Sequence, residues 1–223
     1  MEHIDSTGTS ERRRPNWPWV FLALLVGFAA VQWTVGPLLG RLRPDAAMGE
    51  RLLVVKGITF IWFAFVVMRS TGWAAVGFRR PVRPASALYG IPLLLLGAMA
   101  LAGGVAPTMT VAAFLSMSVW LTLGVLIEEI LFRGVMWEAV SGRGHFFAAI
   151  STSVGFGMIH LLGIGGEVPI TVLLAQMCFA AGTGVVLAAV RIAAGTLWTA
   201  TAVHWAFNGS SFLASGGVAE TLS

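Results

Sequence analysis

Apolar residues run along this chain in long, nearly unbroken stretches separated by short polar breaks. The breaks divide the chain into seven hydrophobic segments, 17–39, 52–68, 85–105, 108–131, 146–162, 168–190 and 195–214. A helix rises about 1.5 Å per residue, so stretches of this size are of the order needed to cross about 30 Å of hydrocarbon. A membrane β-barrel would instead alternate apolar and polar residues over about ten at a time. The expected fold is therefore all-α: a polytopic transmembrane helical bundle of seven spans. An eighth span or a re-entrant segment is the alternative, and it would change the side on which the chain ends. The fourth segment is expected to run on as helix through Trp137. Trp17, Trp19, Trp73 and Trp198 fall near segment ends, where interfacial anchors belong.

Composition sharpens this picture. Apolar residues make up 57% of the chain and charged residues 11%, whereas a soluble domain carries about 25% charged residues. The net charge of +4 does not point to nucleic acid, because the arginines sit in loops where they would meet anionic lipid. Arg12, Arg13, Arg14, Arg69, Arg79, Arg80, Arg83, Arg133, Arg143 and Arg191 fall on one side of the expected topology. Arg41, Arg43 and Arg51 fall on the other, with Lys56 just inside the second span. The bias predicts a cytoplasmic N-terminus. The first segment is longer than a signal-peptide core and no A-x-A site follows it, so it reads as an uncleaved span.

Four regions are expected: a disordered cytoplasmic tail over 1–16, N-terminal spans with a basic loop over 17–120, helices carrying a polar cluster over 121–214, and a tail over 215–223. The basic loop, 72–84, reads either as an interfacial segment or as an ordinary connection. Cys178 is the single cysteine. It allows no intrachain disulfide, and packing is its expected role.

The polar residues inside the apolar segments are few, and ionisable groups there are by default a sign of function. Glu128 and Glu129 close the fourth segment and precede Arg133. On a helix Glu129 and Arg133 are four apart and share a face, whereas Glu128 points about 100° away. Glu128 is then free to face the bundle interior as a general acid or base. The competing reading is an interfacial pair of glutamates matched to arginine. Phe156 and His160 are also four apart, which suits a ring fixing an imidazole or, more blandly, a packed histidine. His204 and Asn208 repeat the spacing. Both can donate to a developing oxyanion, or they can serve as interhelical glue.

Several intramembrane chemistries lack their residues here. Asp5 and Asp45 are the only aspartates and lie outside the segments, so a two-aspartate mechanism is excluded. Neither H-E-x-x-H nor G-x-S-x-G occurs. A Glu/His-activated water remains.

Taken in order, Glu128-Glu129…Arg133, Phe156…His160 and His204…Asn208 resemble the CPBP family, which includes CAAX prenyl proteases of the Rce1 type and bacteriocin-processing or immunity proteins. The likeness covers about 121–211. It implies an intramembrane endopeptidase acting near the membrane face on a peptide or protein substrate, CAAX-type or otherwise. Carried over by residue, it implies that Glu128 and His160 activate water and that Glu129 orients Arg133 or assists. It further implies that His204 and Asn208 hold the oxyanion and that Phe156 shapes the pocket. Either a divalent metal such as zinc, held by Glu128, His160 and His204, or no cofactor is compatible with it. The alternatives are a non-catalytic scaffold or immunity protein and a proton-coupled transporter. The expected partners are the bilayer and the substrate, not nucleic acid, and the expected location is a bacterial plasma membrane.

Overall fold

The computed structural model describes residues 15–46, 48–81, 84–163 and 168–216. The expectations for residues 1–14, for Arg83 and for 217–223 lie outside the described residues. Every regular element described is helical. Helix α1 spans Trp17–Leu42 and α2 Met48–Ser70. A 3₁₀ turn, Pro84–Gly90, leads into α3, Ile91–Leu101. Helix α4, Val111–Glu129, passes into a π-helical turn, Ile130–Met136, and then into a short α5, Trp137–Val140. Helices α6, His145–Ile159, α7, Ile170–Ala194, and α8, Leu197–Ser215, complete the bundle.

Each of the seven apolar segments thus corresponds to a helical stretch. Four helices, Trp17–Leu42, Gly49–Ser70, Val111–Arg143 and Ile170–Ala194, are long and apolar enough to cross a membrane. Ala85–Leu101 and His145–Ile159 are shorter apolar helices.

The helix ends follow local chemistry. Thr110 caps α4 by accepting from the Ala113 amide at 3.1 Å, and Thr196 caps α8 by accepting from Trp198 at 3.2 Å. Helix α7 stops at Gly195, whose φ of +66° suits a residue without Cβ.

The π turn lies at the centre of the molecule. Ile130, Leu131, Phe132 and Val135 are buried there against Leu24 of α1 and Phe63 and Val67 of α2. On the far side α6 and α7 approach so closely that a Cβ on Gly157 would lie 2.6 Å from the Met177 carbonyl oxygen. Small residues at such contacts let helix backbones meet in an apolar solvent, where dispersion and hydrogen bonds replace the hydrophobic drive.

The segment after α2 packs into the bundle. Val76 is fully buried in the same core as the π turn. Phe78 bridges Trp73 and Trp198, with ring centroids 5.6 and 4.7 Å away. Thr196 donates to the Arg79 carbonyl at 2.7 Å, and the Leu197 amide donates to the Gly77 carbonyl at 2.8 Å. The loop is clamped to the start of α8. Cys178 departs from expectation: it is exposed on α7 rather than packed, because its position on the helix faces outward.

Candidate functional site

Adjacent positions on a helix point about 100° apart, and α4 uses this to send its two glutamates into different surroundings. Glu129 is fully buried. Its Oε1 accepts from Arg133 Nη1 at 3.1 Å and from His204 Nδ1 at 2.9 Å. Glu128 keeps 30% of its side chain exposed and faces a cavity. The cavity has a volume of about 470 Å³, and its wall includes Glu128, Phe156, His160, His204 and Asn208. A second cavity of about 370 Å³ adjoins, and Lys56, Gly124, Glu128 and His160 line both.

Arg133 is buried completely. Its guanidinium lies over the Phe156 ring, 4.2 Å from the centroid, an arrangement that offsets part of the cost of burying a cation. Phe156 is a hub. Its edge contacts reach His160 at 5.2 Å and His204 at 5.6 Å, both nearly perpendicular. The ring therefore meets His160 edge to face, at the four-residue spacing that put the two side chains on one helix face.

The two histidines differ in what they have free. His160 directs Nδ1 to the Phe156 carbonyl at 2.9 Å. With the proton on Nδ1 for that bond, the Nε2 lone pair is left to the cavity. His204 commits both ring nitrogens within the protein: Nδ1 donates to Glu129, and Nε2 accepts from Asn208 Nδ2 at 3.1 Å. Glu128 Oε2 lies 3.7 Å from the same Nε2, beyond hydrogen-bond length.

This bears on the metal reading. Among the described residues, no group of three His, Cys, Asp or Glu side chains converges as a ligand set would. Glu128, His160 and His204 do not fit that role as arranged, since both nitrogens of His204 are already engaged.

Two parts of the site left no mark in the motifs. The first is a clamp on the π turn. Arg191 of α7 donates through Nε to the Arg133 carbonyl and through Nη2 to Glu138 at 2.8 Å, and it stacks over Trp137 at 4.6 Å. A π turn shifts the hydrogen-bond ladder by one residue, and such turns are frequent at functional sites. Arg133 and Arg191, both counted toward the inner-face charge bias, are in fact inside the protein. The second is Lys56, whose ammonium lies over the Trp120 ring, 4.7 Å from its centroid. A lysine inside an apolar helix was the available signal, but in sequence it reads as a boundary charge.

Residues 110–210 match the family model described as type II CAAX prenyl endopeptidase, Rce1-like. Over those residues the chain is similar to this membrane peptidase family, and with its four long apolar helices it is an integral membrane protein. No curated protein and no solved structure matches the chain.

Proposed function

We propose, from the match of residues 110–210 to the Rce1-like family model, that the chain is an intramembrane endopeptidase that cleaves a CAAX-type or other membrane-associated peptide by a water activated between Glu128 and His160. The observation that carries the reading is the shared wall: the two groups with free proton-accepting atoms face the same two cavities. The Glu128 carboxylate takes a proton from water as the water oxygen attacks the scissile carbonyl, and His160 Nε2 orients that water. The proton then passes from Glu128 to the leaving amine. General base help of this kind is worth about 10²–10⁴ in rate.

Glu129 and Arg133 act as a fixed frame. The carboxylate holds His204 in one tautomer, and His204 holds the Asn208 amide, whose second N–H is available to the oxyanion. The site lies among helices proposed to cross the bilayer seven times, with the N-terminus cytoplasmic. The cavity would admit the peptide near the membrane face while helix surfaces keep bulk water out.

The test is cleavage of a diverse peptide library, lipidated and plain, by detergent-purified protein, read by mass spectrometry. Wild type runs beside Glu128→Gln, with and without chelator. Cleavage by wild type alone is the expected result, and the cut sites give the specificity. Equal behaviour of two well-folded samples on both library types would overturn the peptidase reading in favour of a scaffold.

A further inference from the structure

The hydrolysis proposed above moves a negative charge. Before attack it sits on Glu128. When Glu128 takes the proton of the water, the water oxygen bonds to carbon and the carbonyl π pair moves to oxygen, so the charge now sits on the substrate. Collapse of that intermediate breaks the C–N bond, and the amine leaves with the proton from Glu128. Whatever cation neighbours Glu128 at rest therefore acquires the oxyanion as its counter-ion in the transition state.

The frame residues cannot supply that cation. Arg133 is fully buried and bound to Glu129. His204, neutral, has no N–H left to offer. Lys56 is differently placed. It comes from α2, outside the family-matched residues 110–210. It lines both cavities together with Glu128 and His160. Among the described residues it makes no hydrogen bond and no ion pair within 4 Å. The Trp120 ring beneath it holds the ammonium by its π face and leaves the N–H donors free. Gly124, one turn before Glu128 on α4, makes the room: a Cβ there would lie 2.8 Å from Lys56 Nζ.

We propose that Lys56 is a catalytic residue, an ammonium that stabilises the oxyanion formed as Glu128 accepts the proton of the attacking water. The inference rests on the peptidase reading and adds to it a group from outside the matched domain. Its contribution is largest in the transition state, because only there does the charge leave Glu128, whose proximity balances Lys56 at rest.

The experiment uses the full chain in detergent. Wild type, Lys56→Met, Lys56→Arg and Gly124→Ala are compared on one cleaved peptide, made as the C-terminal acid and as the amide. Each is also titrated with a phosphonate analogue of the scissile bond and with the uncleaved peptide amide. The expected result for Lys56→Met is a kcat lower by about 10²-fold, as for a lost oxyanion donor. KM should stay within about threefold, and phosphonate affinity should fall in parallel with kcat. Acid and amide peptides should lose equally, and Lys56→Arg should recover part of the rate. Gly124→Ala keeps the ammonium but displaces it, and should lower kcat in the same direction even if Lys56→Met fails to fold.

A rise in KM with kcat unchanged would overturn the proposal, as would unchanged phosphonate affinity. A loss confined to the acid peptide would overturn it by making Lys56 an anchor for a substrate carboxylate. Absence of cleavage by wild type would bring down the peptidase reading itself. The phosphonate titration, which needs no turnover, keeps the two failures apart.

Discussion

Glu128 and Glu129 are neighbours in the chain and opposites in the fold. Around Glu129 lies a dry half, where the fully buried carboxylate accepts from Arg133 and His204, and His204 in turn accepts from Asn208. Around Glu128 lies an open half, where Glu128, His160 and Lys56 share two cavities and keep donors and acceptors free. The difference teaches a division of labour. A buried network of paired charges holds geometry, because breaking it strands a charge in a low dielectric. Reactive groups need atoms left unsatisfied by the protein, and those must face a space the substrate can enter.

Five substitutions break or sharpen that contrast. The largest effect should come from the dry half. Glu129→Ala leaves Arg133 buried without its carboxylate, a loss of about 3–5 kcal/mol, visible as a lower thermal midpoint and as aggregation on purification. Glu128→Gln, beside it, should fold normally, and equal instability of the two variants would erase the distinction. His160→Ala comes next. It should cut turnover by about 10²-fold or more with thermal stability within about 1 kcal/mol of wild type, read by paired kinetic and melting assays.

Arg191→Met tests the clamp from a distance. It removes the donor to the Arg133 carbonyl and the partner of Glu138, and should cost about 1–3 kcal/mol. Faster hydrogen exchange through Ile130–Met136 is the signature, since that is the turn whose ladder the clamp completes. Thr196→Ala is the smallest, about 1 kcal/mol, as for a lost helix cap. It should also loosen the loop around Val76, read by protease sensitivity near Arg79.

The helices and their order were legible because bilayer-scale apolar runs have few other uses, and the helical repeat of 3.6 makes four-residue spacings faces. Glu129 with Arg133, Phe156 with His160, and His204 with Asn208 could be paired on that ground alone. Lys56 could not be placed, since nothing local says which helix α2 packs against. Arg191 and Glu138 lie far apart in the chain, so their pairing had no periodic signature. The basic loop was legible only as basic: its burial of Val76 depends on the π turn and its attachment to Thr196 on a contact more than a hundred residues away.

What the amino-acid order determined by itself was therefore everything periodic: an all-helical membrane protein, which residues share a helix face, and the separation of the two adjacent glutamates. Tertiary structure alone decided which glutamate became interior and which met a cavity, which nitrogen of each histidine was free, and that a lysine from α2 would stand at the site. The physical reason is that a helix fixes directions within itself, whereas burial and the partners of a polar atom are set by whatever packs opposite.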